Sequence, residues 1–311
     1  MKMLLISLAF LSLSSCSLVS PRSSVNRGQP EVRDVGSLSR DSREMSPKKR
    51  IIVLPFLDAT GGRTSAAAEV ARETFIRALR KTDDFVVVAN SDFPKDVATY
   101  LKNGEYDLEA MAKVGAAMGL AGIIEGKVLS LKAKRVGDEV GLVRELKARV
   151  TATVQMRMVN TKNGTVGLNE TKEASVDATT TRVAERSYSD RNLEEDPKLI
   201  DSVVTEAFKS MIPKIMQSTD KLSWEGRVAM VKGERIYLNA GRLSGIMIGD
   251  ILKVTEDGED VYDPDSGALI GRVPGRLKGT VEVVSYFGKD GSIAIIHSGS
   301  GFRENDHVEL Y

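Results

Sequence analysis

The sequence predicts an α/β domain, with a sheet covered by helices, followed by a small all-β barrel or sandwich domain. Up to about residue 217, apolar strand-like runs alternate with amphipathic stretches of helical period, the order typical of helices packed on a sheet. From about residue 222 the pattern changes to short strands between turn residues, without helical periodicity. We therefore expect an α/β domain at residues 48–218 and a β domain at residues 222–311.

The α/β domain opens with a buried strand and a helix. Residues 50–56 are almost entirely apolar and lead into the turn sequence 58–62, which favours a buried strand. Thr64 or Ser65 can cap the helix that follows, because its apolar positions recur at helical spacing. Further along the chain we predict a strand at 85–88, a helix at about 108–118 and a strand from Ala121 toward Leu131.

A long alternating segment is the most informative part of this domain. From Val140 to Met158 the even positions are mostly apolar and the odd positions mostly polar, which predicts a strand with one buried and one wet face. Asn163-Gly164 then makes a turn, and residues 165–174 return antiparallel. A closing amphipathic helix is predicted at 200–216, with a kink at Pro213.

The β domain contains two similar series of short segments. In the first series Gly226-Arg-Val228 leads to Gly249-Asp250, and in the second Gly279-Thr-Val281 leads to Asn305-Asp306. We interpret these as an internal duplication that packs into one barrel or sandwich, since neither unit could bury its apolar face alone. Two unrelated hairpins are the alternative.

The first residues of the chain read as an export signal. Lys2 precedes an apolar run that is too short for a membrane-spanning helix, so residues 1–15 are predicted to be a signal peptide. Leu13-Ser14-Ser15-Cys16 resembles the lipobox of bacterial lipoproteins, and the resemblance implies cleavage before Cys16 and lipidation of that residue. Two or more acyl chains give stable membrane anchoring. An ordinary secretory signal is the alternative.

Residues 16–47 are predicted to be a lipidated tether, because they are rich in Ser, Arg, Pro and Gly and contain few large apolar side chains. Ser17 stands where an Asp would retain a lipoprotein in the inner membrane of enteric bacteria. By resemblance to that sorting rule we expect the outer membrane, with the protein on its periplasmic face.

Composition excludes several classes of function. A net charge of +1 provides no field to attract nucleic acid, so no nucleic-acid partner is expected. Cys16 is the only cysteine, which leaves no disulfide and no catalytic thiol. The two histidines, His297 and His307, are expected to have ordinary surface or half-buried roles. No triad, metal cluster or pair of carboxylates can be assembled, so we expect no enzyme activity, cofactor or metal.

Two loops have some features of ligand-binding sites. Residues 58–64 could bind a phosphate at a helix N-terminus, but they lack the Gly-Lys-Ser/Thr ending of a P-loop, and a turn with a helix cap is favoured. Asp263 to Gly267 has calcium-like oxygen spacing, but Ala268 stands where the EF-hand needs Gly and Pro274 where it needs Glu. A β-turn is therefore favoured.

Three further residues are given structural roles. Asp250 and Asp306 each precede the last strand of a repeat, and they are expected to bind backbone amides of their own turns. Trp224 is expected to pack between the two domains rather than to bind a ligand.

The order of elements from residue 50 to 217 resembles the curli secretion channel family. The residues that carry this resemblance are Ile123-Ile124-Glu125-Gly126 and Met158-Val159-Asn160-Thr161. Residues 222–311 resemble the C-terminal domain of the flagellar T-protein, which helps form the rings of sodium-driven motors. That resemblance rests on Gly241, Gly245-Ile246, Gly249-Asp250, Asp263 to Gly267 and Asn305-Asp306.

Together the two resemblances imply a non-enzymatic, ring-forming or machine-associated periplasmic protein. We expect an oligomeric scaffold or assembly factor with flagellar or secretion components as partners, the flagellar motor being the first choice. A curli-type secretion pore is the alternative. Against it, the first candidate hairpin is charged around its tip and has no aromatic residue, and the second, Thr171 to Tyr188, is polar on both faces, whereas a membrane barrel needs an apolar band with aromatic girdles. Homo-oligomer contacts are expected on the wet face of the long strand, at Glu145, Lys147, Arg149 and Arg157.

Overall fold

The computed structural model describes residues 47–137, 146–180, 196–267 and 269–311. These residues lie in one compact unit of mixed α/β structure with mostly β content. A sheet with helices is followed by a closed barrel, so the barrel alternative holds rather than the sandwich. No helix in the described ranges has the length and apolar character needed to cross a membrane.

The sheet of the first part is mixed and, over the described residues, six-stranded. Its order is β3-β1-β6-β7-β8, with β2 pairing beside β6; β3, β1 and β6 are parallel, and β6, β7 and β8 are antiparallel. The strands are β1 Lys49–Val53, β2 Leu57–Asp58, β3 Phe85–Val88, β6 Gly122–Gly137, β7 Leu146–Asn160 and β8 Val166–Thr180, and a small separate ribbon is formed by β4 Leu101–Lys102 and β5 Glu105–Tyr106.

Helices cover the sheet unevenly. The helices are α1 Ser65–Lys81, α2 Leu108–Ala117, α3 Pro197–Lys209 and α4 Ile212–Thr219. One core packs α1 and α3 on the sheet and includes Phe75 and Phe208. A smaller core on α2 includes Met111 and Ile123. The outer face of β6, β7 and β8 beyond α2 is polar.

The predicted alternation of the long strand is confirmed for the described part of it. Val150, Ala152, Val154, Met156 and Met158 are fully buried, as the even positions require. Residues 140–145 of the predicted strand lie outside the described residues. The returning strand β8 runs to Thr180, beyond the predicted end at residue 174.

The closing helix differs from the prediction of one kinked helix. The chain forms two helices, and Pro213 lies in the first turn of the second. Proline has no amide hydrogen for the preceding turn, but it fits the start of a helix, where that hydrogen has no partner. A break at Ser210-Met211 therefore replaces the kink.

The barrel is closed in the order β10-β15-β14-β11-β16-β9. Its core includes Trp224, Ile236, Leu252 and Val281. Between β11 and β14 the chain forms a two-stranded hairpin, β12 and β13. The strands are β9 Gly226–Lys232, β10 Arg235–Leu238, β11 Ile251–Thr255, β12 Glu259–Tyr262, β13 Leu269–Val273, β14 Leu277–Phe287, β15 Gly291–Gly299 and β16 His307–Leu310.

The strand pairing supports the internal duplication. Exchanging β9, β10 and β11 for β14, β15 and β16 maps the barrel order onto itself. Backbone bonds repeat in the same way: Gly249 N donates to Val283 O and Asn305 N donates to Val228 O, both at 2.8 Å. The pairing equates Val228 with Val283, so the sequence alignment of Val228 with Val281 was wrong by two residues. Bulges in the β14–β15 ladder are not visible in a sequence pattern.

Candidate interaction surfaces

The outer face of β6, β7 and β8 carries a ladder of polar side chains. Arg149 donates to Asp177 on the neighbouring strand through Nε at 2.6 Å and Nη2 at 2.9 Å. Two further rungs of the ladder are Thr151–Ser175 and Gln155–Asn169, each with side-chain oxygen or nitrogen atoms 2.9 Å apart. Arg149–Asp177 and Thr151–Ser175 are directly opposite pairs of the antiparallel strands β7 and β8, whereas Gln155 reaches diagonally to Asn169.

A charged cluster lies where this polar face meets the core. Arg157 Nε donates to Glu125 Oε2 at 2.6 Å, and the Glu125 side chain is only 2% exposed. Glu105 lies 3.4 Å from Arg157 Nη2 and 3.3 Å from Lys127 Nζ. The hydrogen bond to Glu125 raises the pKa of Arg157 despite its partial burial. Burial, with the nearby charge of Glu125, raises the pKa of Tyr106 to about 12.

Of the four predicted interface residues, the structure describes the side chains of two. Arg149 and Arg157 lie on the polar face, and both are already paired with carboxylates of their own chain. Glu145 lies outside the described residues, and of Lys147 only the backbone in β7 is described. Cys16 also lies outside them. Both arginines are therefore already bonded within the chain, and the homo-oligomer contact stays a prediction.

Sequence reasoning missed the Arg157–Glu125 pair, although a signal for it was present. Glu125 is the one charged residue in an apolar run, and its strand neighbour in register is Arg157. The adjacent Gly126 has a packing role, because Phe56 and Phe208 stack over it with ring centroids 4.2 Å apart. The segment Ile123-Ile124-Glu125-Gly126 thus contributes to both cores, to an ion pair and to an aromatic contact.

The loop after β2 is a helix cap made by Asp58. Its carboxylate accepts hydrogen bonds from the backbone amides of Thr60 at 2.7 Å and Thr64 at 3.0 Å, and from the hydroxyls of Thr60, Thr64 and Ser65. Burial opposes ionisation, yet these bonds lower the pKa of Asp58 to about 2. The turn with a cap is therefore confirmed, and an internal carboxylate takes the position a phosphate would need. Thr64 occupies the N-cap position, as predicted, but its side chain forms no capping hydrogen bond, because the hydroxyls of Thr64 and Ser65 both donate to Asp58.

The junction between sheet and barrel is polar and specific. Arg50 Nη1 donates to Asn239 O at 2.6 Å, and Asn239 Nδ2 donates to Met118 O at 3.1 Å. Lys162, in the turn between β7 and β8, donates to Glu309 at 2.9 Å. Its ammonium also lies 2.5 Å from Glu225 Oε1, close enough for an ion pair although not aligned as a hydrogen bond.

Histidine 307 is buried at this junction, contrary to the expectation of a surface or half-buried role. Its Nε2 lies 2.6 Å from Asp257 Oδ1 and its Nδ1 3.4 Å from Glu225 Oε2. Burial would raise the pKa of Glu225, but its interactions with His307 and with the Lys162 ammonium outweigh burial and lower that pKa. A cavity of about 40 Å³ adjoins His307. His297, by contrast, is exposed in β15.

The turn aspartates behave as predicted. Asp250 and Asp306 accept hydrogen bonds from the amides of Met247 and Arg303, each at 2.7 Å. Asp306 also forms a buried ion pair with Lys278 at 2.7 Å, which the sequence did not indicate.

The predicted turn at Asp263 is confirmed, whereas the predicted role of Trp224 is wrong. Asp263 accepts from the amides of Asp265 and Ser266, so this segment is a turn. Trp224 packs in the barrel core rather than between the domains. Among the described residues no group of three or more His, Cys, Asp or Glu could hold a metal ion.

The described residues thus define a mixed α/β protein whose polar side chains group on an open sheet face and at the junction with a closed barrel. No protein-family profile matches the chain, and no curated protein matches it. Among solved structures it is partly similar to a hypothetical protein of Chlamydia trachomatis, with 13% identity and a TM-score of 0.33 over 54% of this chain and 95% of the other.

Bacterial lipoproteins are also among these structures. Lipoprotein GNA1162 of Neisseria meningitidis has 14% identity and a TM-score of 0.28 over 54% of this chain and 99% of its own. A minor lipoprotein of Acinetobacter baumannii has 11% identity and a TM-score of 0.27 over 56% and 95%. Identities and scores this low carry no conclusion about activity or partners.

Proposed function

We propose that this protein is a lipoprotein anchored through Cys16 to the outer membrane, where it serves as an oligomeric, non-enzymatic scaffold for a periplasmic machine. The lipobox-like Leu13-Ser14-Ser15-Cys16, with no other cysteine in the chain, is the observation that carries this proposal. The flagellar motor is the preferred machine, because residues 222–311 resemble the flagellar T-protein.

The open polar face of β6, β7 and β8 supports the scaffold over the pore. These strands contain no aromatic residue, and the outer positions described on β7 and β8 are occupied by side chains such as Arg149, Thr151, Gln155 and Asp177. A membrane barrel needs an apolar band with aromatic girdles on the face that meets lipid. A hydrogen-bonding face of this kind is better suited to a neighbouring protein than to hydrocarbon.

Acylation of Cys16 is tested by the intact mass of the mature protein. We expect a mass that includes acyl groups on Cys16, and we expect Cys16→Ala to give an uncleaved or soluble form, because the lipid-carrying sulfur is missing. The control is Ser17→Ala, which leaves the cysteine in place. A mature protein without acyl mass on Cys16 would remove the anchor from the proposal.

Assembly through the polar face is tested by a charge exchange. Arg149→Asp breaks the pair with Asp177, whereas Arg149→Asp combined with Asp177→Arg restores that pair but reverses the charges presented to a neighbour. We expect the lipidated protein in detergent to be a homo-oligomer by light scattering. Both variants should dissociate it if the face contacts a second copy, because head-to-tail contacts match unlike surfaces.

Two results would contradict this assembly. A strict monomer at tens of micromolar would leave a tethered monomeric adaptor. An oligomer that both variants retain would move the contact to another surface. Neighbouring genes provide a separate test of the machine, since flagellar genes favour the motor and curli-type subunit genes favour the secretion alternative.

A further inference from the structure

One barrel loop exposes three aliphatic side chains to solvent. Residues 241–249 form most of the connection from β10 to β11, which ends at Asp250, and in this loop Leu243 is 47% exposed, Met247 37% and Ile248 59%. The same segment contains one cation, Arg242, and no acidic residue. Single exposed aliphatics are ordinary, but a group of them at one tip indicates a binding surface.

The second repeat contains the same turn and allows a comparison within the molecule. Gly245 and Gly301 share a left-handed backbone, with φ of 77° and 78°. Ile246 and Phe302, which follow them, are both buried. The hydrogen bond that Met247 N donates to Asp250 is repeated between Arg303 and Asp306, again at 2.7 Å.

The tip of the turn is where the two repeats differ. The first repeat has Met247-Ile248, and the second has Arg303-Glu304 at the equivalent exposed positions. Because the same turn forms with a charged pair, its folding does not require the aliphatic pair. Met247 and Ile248 are therefore available for a contact outside the barrel.

The loop is held in place before any partner binds. Asp290 accepts hydrogen bonds from the backbone amides of Gly241 and Ser244, both at 3.0 Å. Tyr286 donates its hydroxyl hydrogen to Ile246 O at 2.8 Å. A rigid loop loses little conformational freedom on binding, which favours even a small contact.

The chain enters the folded unit at this same loop. Lys48 N donates to Ser244 O at 2.9 Å, and a Cβ placed on Gly245 would lie 3.4 Å from Pro47 Cα. Residues 17–46 connect this point to Cys16. If Cys16 is acylated, the loop with the exposed aliphatics is therefore the part of the barrel beside the connection to the membrane.

We propose that the 241–249 loop docks on the phospholipid bilayer, with Met247 and Ile248 entering its interfacial region. This inference rests on the proposed lipid anchor. Aliphatic side chains gain by leaving water for the acyl boundary, and Arg242 can meet lipid phosphates. The anchor raises the local concentration of the bilayer, so a contact too weak to act alone is sufficient. Docking here would set the orientation of the barrel relative to the membrane.

The test places an environment-sensitive dye at the tip of the loop in the lipidated full-length protein. With Cys16 acylated, Ile248→Cys provides the only free thiol for labelling. The matched control is Ile270→Cys on β13, where the side chain is 66% exposed and also aliphatic. Both proteins are reconstituted on vesicles of phosphatidylethanolamine and phosphatidylglycerol, with and without nitroxide-labelled lipid.

We expect lipid nitroxides to quench the dye at position 248 at least about two-fold more than the dye at position 270. Equal quenching would overturn the proposal. A blue shift at position 248 without quenching would also overturn it, because a second protein copy would then cover the loop. A mature protein without acyl mass would remove the anchor and this inference together, whereas correct mass with an unquenched loop would remove the docking alone.

Discussion

Single carboxylates organise the polar contacts of this protein, and each finds its partners in a different way. Asp58 takes its bonds from residues two to seven positions ahead of it in the chain. Buried Glu125 pairs with Arg157, which is 32 residues away, and half-exposed Asp257 pairs with His307, which is 50 residues away, and with Arg227. Buried charges persist only when they are paired or hydrogen-bonded. Local turns and long-range strand pairing both provide such partners.

The cap made by Asp58 has a pH signature. Because folding lowers the pKa of Asp58 from 3.8 to about 2, its contribution is present above pH 4 and is lost as the pH falls toward 2. We expect Asp58→Asn to reduce the free energy of unfolding at pH 7 by about 1 to 2 kcal/mol, allowing for solvent screening. Chemical unfolding followed by circular dichroism at several pH values measures this.

The control for that prediction is Asp196→Asn. Asp196 caps α3 through one amide, that of Lys198, so the loss at pH 7 should be smaller. A difference between wild type and Asp58→Asn that stays constant from pH 7 to pH 2 would contradict the assigned role of the carboxylate.

Strand β6 contributes side chains to both cores of the sheet. It runs from the core to the end of the described hairpin, with Ile123 in one core and Ile124 in the other. Gly126 lets the rings of Phe56 and Phe208 lie directly against its backbone. An element that serves two cores tolerates little change of shape, because protein interiors are close-packed.

Gly126→Ala tests this packing. The added Cβ would lie 2.6 Å from Phe56 Cδ1 and 2.8 Å from Phe208 Cε1, so the rings must move. We expect a loss of about 1 to 3 kcal/mol in the free energy of unfolding, measured by urea denaturation. Gly167→Ala in β8 is the control, since its Cβ would lie an ordinary 3.5 Å from Met158 Cε. Equal stability of both variants would show that the ring contact is not tight.

At the scale of the whole molecule, the sheet and the barrel are joined by directional bonds. Asn239 both accepts from Arg50 and donates to Met118, and Lys162 reaches two barrel carboxylates. Such a junction fixes the orientation of the barrel on the sheet, since each bond constrains an angle as well as a distance. A partner that contacts both the barrel and the sheet would therefore meet the two surfaces in one fixed relative orientation.

A scaffold of this kind should not conduct ions. We expect planar-bilayer recordings of the purified lipidated oligomer to show no stable channels, because the outer face of β6, β7 and β8 lacks an apolar band. An outer-membrane porin in the same bilayer serves as the positive control. Stable conductance from the protein alone would favour the secretion pore.

The class of fold and the buried faces of its elements can be predicted from local sequence patterns. Alternation with period two marked β7 and its buried residues from Val150 to Met158, and helical period marked α1 and α2, because the backbone alone sets both spacings. Similar turn residues indicated the duplication of the barrel. The export signal and Cys16 are also sequence predictions, which lie outside the described residues.

The contacts between groups that are distant in the chain could not be predicted from these local patterns. The burial of His307 between Asp257 and Glu225, and the ion pair of Lys278 with Asp306, join residues whose spacing in the chain has no period. The equivalence of Val228 with Val283 depended on bulges that shift the ladder. Local periodicity reports which side of an element is buried, whereas pairing between elements depends on register and closure, which arise only when the whole barrel and sheet are packed.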